Sequence, residues 1–309
     1  MIKKLTTIFL LFLSVSCVFA QEDKDKLIWN VSARDMAMFI NLVYENDKKI
    51  DDILKKQAPA GTLSNNIQKM TNNELGPYWR VKETFHQDNG LDAVLFETTN
   101  NFPFLKGDNI QVLAFAGTNV AQAGDLKADL ALFFGNESNQ SEAAIQLMKK
   151  IKNDSTITNL YITGHSLGGY LSLRATATAE KEKFRKYKQT YTFNAPKVKS
   201  GWLWGVPKDD VRISEELAKT GKIKNYYTDN DNIIPGNLQP NNKISIGKSA
   251  GAHSSTSYFE NRVNSNPDFN FGKRQGMDGV GYRDENINKL SIIDPEKGTL
   301  SKTFLPTLV

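Results

Sequence analysis

Gly164-His165-Ser166-Leu167-Gly168 constrains this chain more than any other stretch. It places a serine between two glycines, directly after the apolar run Leu160-Tyr161-Ile162-Thr163 and directly before a helix-like segment at about 167–183. A serine on a very tight strand-to-helix turn has a strained backbone, and its neighbours two residues away must lack bulk. Gly164 and Gly168 meet that demand, and Gly169 lets the helix lie close to a sheet. The helix N-terminus places partial positive charge where an oxyanion would form. The bare pattern is weak, arising by chance in roughly one chain in ten of this length at ordinary Gly and Ser usage. The strand before it and the helix after it give it meaning, and on that context Ser166 is the candidate nucleophile.

The surrounding chain supplies a sheet for such a turn. Residues 79–85, 92–98 and 110–116 read as strands, followed by a helical stretch at Ser141–Ile151 and the strand at 159–163. After the 167–183 helix come strands at 189–194 and 222–228. Met36, Phe39, Ile40 and Val43 share one face of an amphipathic helix over 33–47. Alternation of this kind predicts an α/β fold, a mainly parallel central sheet with helices on both faces. The tail after about residue 263 is rich in Gly, Asn and Asp and has no clear role.

A serine at neutral pH needs a positioned base, usually histidine, and the base needs a carboxylate to orient it. The chain has three histidines. His165 is next to the serine and turned away from it by the geometry of the turn. His86 precedes the turn, whereas the α/β-hydrolase fold orders its triad as serine, acid, histidine. His253, in the small-residue loop Gly251-Ala252-His253-Ser254-Ser255, is the expected base. The acid is expected at the end of the strand at 222–228, which runs into Asp229-Asn230-Asp231-Asn232-Ile233-Ile234-Pro235. Asp231 is favoured over Asp229, because an aliphatic residue and then a proline follow it. Both are also ordinary turn residues.

With these residues the chain resembles the class 3 lipases, the fungal-lipase-like branch of the α/β hydrolases. Four segments carry the likeness in order, across roughly 110–255: the Gly164–Gly168 elbow, Phe115-Ala116-Gly117-Thr118, Phe193-Asn194-Ala195-Pro196-Lys197-Val198, and Asp231 with Ile233. Asn194 stands where the family usually has glycine, and Pro235 lies four residues after the acid instead of three. The resemblance implies an oxyanion hole formed by Thr118 and the backbone N–H of Leu167; Thr118 ends a strand ahead of the elbow, where such a donor loop belongs. In the family a lid follows this segment. Here Asn119–Leu132 contains the amphipathic stretch Asp125-Leu126-Lys127-Ala128-Asp129-Leu130 and reads either as a lid over an acyl groove or as an ordinary packed helix. Trp202 and Trp204, between Gly201 and Gly205, read either as an interfacial loop or as inward packing.

Composition and the N-terminus set the remaining expectations. Lys3 and Lys4, the uncharged apolar stretch Leu5–Phe19 and Ala20 form the layout of a signal peptide over residues 1–20. Residues 21–309 then form the hydrolase domain, exported to the periplasm or the extracellular space. Cys17, the single cysteine, is a less favoured lipoprotein site because Ser14 stands where such signals want an aliphatic residue. Cleavage after Ala20 leaves no cysteine and brings the formal charge from +5 to +3. The basic cluster over 181–188 reads as a solvated helix end, and no nucleic-acid motif accompanies it. No cofactor is expected, and no metal, since no histidine pair stands at ligand spacing. The reading is a lipase-like serine esterase acting on lipid esters, in solution or at a membrane or micelle interface. A phospholipase A and a short-chain carboxylesterase use the same machinery, and an exported binding protein without turnover is the reading from another class.

Overall fold

The computed structural model describes residues 31–100, 109–117, 139–200 and 206–259, and the backbone of three short strands between 281 and 300. Residues 1–20, read from sequence as a signal peptide, lie outside the described residues, as do Thr118, the 119–132 segment and the Trp202–Trp204 loop.

Seven strands form one sheet in simple sequential order: β1 (Trp79–His86), β2 (Asp92–Thr98), β3 (Ile110–Phe115), β4 (Asn159–His165), β5 (Tyr187–Phe193), β6 (Ile223–Tyr227) and β7 (Lys243–Ser245). β1, β2 and β3 pair antiparallel; β3 through β7 pair parallel. The α/β architecture with a mainly parallel sheet is therefore the one the sequence predicts. Strands β8 (Gly281–Asp284), β9 (Lys289–Asp294) and β10 (Thr299–Leu300) form a separate antiparallel sheet in the tail.

Sequential order has a consequence for the layers. Parallel neighbours joined by right-handed crossovers put every connecting helix on the same face. Helices α4 (Asn139–Asn153), α5 (Leu167–Lys181) and α6 (Lys208–Lys219) are those connections. They pack with Leu95, Leu113, Phe115, Leu160 and Ile162 in one apolar cluster. Side chains alternate along each strand, so Phe96, Val112, Ala114, Tyr161, Tyr191 and Phe193 point to the opposite face. There they are covered by α1 (Ala33–Leu42) and α2 (Asp47–Leu54), with Leu75, Tyr78 and Trp79 from beyond α3 (Asn65–Glu74). Every residue of α1 is buried, and Ser32 and Asp35 close its N-terminus with a reciprocal capping box.

Two features differ from the sequence reading. The helix expected over 33–47 is broken: α1 stops at Leu42, and a new helix starts where Asn46 accepts the Lys49 N–H at 3.0 Å. Asparagine caps a helix better than it continues one. Helices α2, α3 and α6 and strand β7, of three to twelve residues each, add to the elements that the sequence predicts. The 181–188 cluster spans the end of α5, a turn with Lys183 at φ 52°, and the start of β5. Its cationic residues are exposed except Lys186, while Phe184 and Tyr187 are buried.

Candidate active site

Ser166 sits between the end of β4 and the first residue of α5, at φ 54° and ψ −124°. Few side chains adopt that backbone, so surrounding structure must impose it. The Ser166 N–H donates to Phe193 O at 2.9 Å and its carbonyl accepts the Tyr170 N–H at 3.2 Å. The flanking glycines are required by contact: a Cβ on Gly164 would run into the Gly168 backbone, and one on Gly168 into the Phe115 carbonyl. The turn thus presses against β3, the strand that leads into Thr118. Leu167 is the first residue of α5, and the first N–H groups of a helix have no intrahelical acceptor.

His253 Nε2 lies 2.8 Å from Ser166 Oγ, and His253 Nδ1 lies 2.9 Å from Asp231 Oδ2. Nδ1 faces a carboxylate, which only accepts, so Nδ1 carries the proton and Nε2 is left to accept from the serine hydroxyl. Ser166 and His253 are buried, and the Asp231 carboxylate is fully enclosed. Its second oxygen, Oδ1, accepts the N–H groups of Ile233 at 2.8 Å and Ile234 at 3.3 Å, which fixes the carboxylate toward the imidazole. Asp229 points elsewhere, accepting from Ser245 Oγ while its N–H donates to Gly247 O at 2.9 Å. The acid site separates the two aspartates by direction although they share one turn.

The other two histidines have different surroundings. His86 is half-exposed on β1, held between Asp47 and Asp92 at 2.8 Å each. His165 is buried beside the site, its ring 5.0 Å from that of His253. Its Nε2 lies 2.6 Å from the His253 carbonyl oxygen and therefore carries the proton. In the neutral ring Nδ1 then accepts, and its partner at 3.1 Å is the Tyr44 hydroxyl. The Tyr44 oxygen in turn accepts the Gly117 N–H at 3.2 Å. Burial, and then the neighbouring His253, holds the His165 imidazole far below its ordinary value, at about 3. Burial pushes the Tyr44 phenol up. This chain of groups stays neutral and protonated as described across the physiological range.

Several residues that shape the site were not singled out from sequence as part of it. Tyr44 follows α1 and reaches both Gly117 and His165. Asn41, within α1, donates to Ser255 O at 3.1 Å and accepts from Ser255 Oγ at 3.0 Å, two residues past His253. Thr228 and Asn194 contact the loop that carries His253. Asn194 was visible as a departure from glycine; for Asn41, Tyr44 and Thr228 the sequence offers no local signal. Among the described residues no cluster of three or more His, Cys, Asp or Glu side chains is placed to hold a metal ion, and no helix is long and apolar enough to cross a membrane.

Comparison with known proteins places the chain in a family. A phospholipase-like family model, the Tle-like phospholipase domain, matches residues 35–264. Among solved structures the chain is similar to a mutant form of MDLA from Penicillium cyclopium, at 13% identity over 74% of this chain and 86% of that one, TM-score 0.39. It is also similar to a structure described as a fungal lipase, at 10% identity over 72% and 81%, TM-score 0.39. The lipase of Rhizopus microsporus var. chinensis matches at 11% identity over 71% and 76%, TM-score 0.35. No curated protein matches the chain. The family match begins in α1, so it takes in the N-terminal helices that the sequence motifs left uncovered. The likeness read from the motifs holds at the level of a phospholipase-like domain. Matched over well more than half its length, the chain belongs to the phospholipase-like family of the Tle-like phospholipase domain.

Proposed function

We propose that the protein hydrolyses the carboxylic esters of phospholipids, with Ser166 as nucleophile, His253 as base and Asp231 as the acid that orients it. The observation that carries this reading is the unbroken hydrogen-bonded line from Ser166 Oγ through His253 to Asp231, built on a strained strand-to-helix turn. The family description supports a phospholipid as the substrate class. A serine nucleophile of this type attacks an acyl carbon, which points to the ester bonds of the acyl chains.

In the first half-reaction the Ser166 hydroxyl proton passes to His253 Nε2 as Oγ bonds to the acyl carbon. The carbonyl oxygen becomes an oxyanion facing the start of α5, where the Leu167 N–H donates; Thr118 is the proposed second donor. His253 returns its proton to the departing alkoxide, and the lysolipid leaves. Water, deprotonated by His253, then attacks the acyl-enzyme, and the fatty acid is released as Ser166 regains its proton. Asp231 keeps His253 in the tautomer that accepts from serine and stabilises the imidazolium between the two transfers. Its buried carboxylate is matched to that task, because a charge pair counts for more away from water. The substrate is met at a membrane or micelle surface, after export directed by residues 1–20.

Phosphatidylcholine in mixed micelles, a triacylglycerol emulsion and a soluble short-chain ester test the substrate class side by side. The expected products from the micelles are fatty acid and lysophospholipid, with none from the Ser166→Ala variant. Release of headgroup phosphate, or inertness of the folded wild type toward all three, would overturn the proposal. Faster turnover of triacylglycerol would favour the lipase reading that the class 3 motifs imply.

A further inference from the structure

Asn194 lies one residue past β5, fully buried, with φ at 46°. Side chains enter that backbone region at a cost, asparagine at less than most, and glycine freely. Backbone conformation alone would thus be served best by glycine. What asparagine adds is a carboxamide, and the structure uses all of it. Oδ1 accepts the Thr228 N–H at 3.0 Å. Nδ2 donates to Ala252 O at 3.0 Å and to Thr228 Oγ1 at 3.3 Å. Thr228 Oγ1 closes the ring by donating to the same Ala252 carbonyl at 2.6 Å.

The ring joins the segments that carry the two partners of Ser166. Thr228 follows β6, and its carbonyl accepts the Asp231 N–H at 3.2 Å. Ala252, at φ 44°, is another non-glycine residue in the left-handed region, and its carbonyl belongs to the peptide that leads into His253. The far side of His253 is held as well, its own carbonyl accepting from His165 Nε2. Without the Asn194 carboxamide the Thr228 N–H loses its acceptor, and one of the donors to Ala252 O is gone from the loop that sets the imidazole.

We propose that Asn194 is a positioning residue that locks the Asp231 turn to the His253 loop and so fixes the imidazole between Asp231 and Ser166. The proposal rests on the triad reading above. Asn194 touches no reacting atom; it acts through the two loops.

The test compares wild type with Asn194→Gly, which suits the backbone and keeps the Asn194 N–H bond to Tyr226 O at 2.9 Å. Thr228→Val serves as a second variant, removing the hydroxyl from the ring while keeping side-chain shape. Two readouts are taken on folded protein: the rate of Ser166 labelling by a fluorophosphonate across pH 5–9, and the His253 titration followed by NMR in a Ser166→Ala background. The titratable groups that surround His253 among the described residues are Asp231, His165 and, next to Asp231, Tyr227 and Tyr258.

Asn194→Gly is expected to label about tenfold more slowly or worse, within the roughly hundredfold that a misplacement of about 1 Å costs. Its His253 midpoint is expected to fall, as the loosened Asp231 contact stabilises the imidazolium less. Thr228→Val is expected to shift both in the same direction by less. A folded Asn194→Gly with the labelling rate and His253 midpoint of wild type overturns the proposal; if that variant does not fold, unchanged values in Thr228→Val do so. Failure of wild type to label would count against the triad reading alone, and the NMR titration would still decide on Asn194.

Discussion

Ser166 is strained because its position demands it. A residue held at φ 54° and ψ −124° typically costs the fold about 1–3 kcal/mol. Ser166→Gly relieves the strain, whereas Ser166→Ala keeps the Cβ that causes it. Allowing for the greater chain entropy of glycine, urea unfolding is expected to find Ser166→Gly the more stable by about 1 kcal/mol. Equal stabilities would contradict the strain. The two aspartates separate as sharply. Asp231→Asn inverts the tautomer preference of His253 and is expected to lower turnover by roughly 10⁴-fold, the scale of that change in a serine triad. Asp229→Asn, which disturbs a bond to Ser245, is expected to leave turnover near wild type. Sequence alone favoured Asp231 without separating it cleanly, since both aspartates lie in one turn. Their difference is where each carboxylate points, and that is set by the N–H groups of Ile233 and Ile234. Asn194 and Tyr44 were harder to read, because their polar partners lie between 34 and 121 residues away.

Among elements, β4 and the loop carrying His253 are tied through His165. The unfolded chain takes up a proton on this imidazole near pH 6.5, whereas the native ring refuses one until about pH 3. The lower native value means that this contribution to stability is fully present above pH 6.5. It is lost as the pH falls toward 3, by about 1.4 kcal/mol for each unit. His165→Gln is expected to flatten the acid limb of the stability curve between about pH 6 and pH 4. An unchanged limb in that variant would show that other groups set it. The elements that carry the site were legible because their patterns are local: continuous apolar runs for β3 and β4, and glycines at the turn into α5. Helix α1 was legible by its apolar face, but not the break after it. That break depends on a single asparagine cap, which composition does not reveal. Helix α6 buries Ile213 and half-buries Val211, Leu217 and Ala218, an apolar stripe too sparse among charged residues to stand out locally.

The whole molecule follows from the sequential strand order. Three crossover helices cover one face of the sheet, and the other face depends on the chain that precedes β1. The N-terminal helices are therefore part of the core, and they also reach the site through Asn41 and Tyr44. A chain beginning at Val31 is expected to unfold cooperatively. One beginning at Asp47 would expose the apolar face of Phe96, Val112 and Tyr191 and is expected to bind a hydrophobic dye and lose its cooperative melt. Retention of the wild-type melt by the shorter chain would show that α1 is dispensable. The central claim, that this fold holds an activated serine, is tested most directly by fluorophosphonate labelling, with the modified residue identified by mass spectrometry. The account predicts a single adduct on Ser166, absent from Ser166→Ala and strongly reduced in His253→Ala. An adduct elsewhere, or a folded wild type that takes no label with or without detergent, would contradict it.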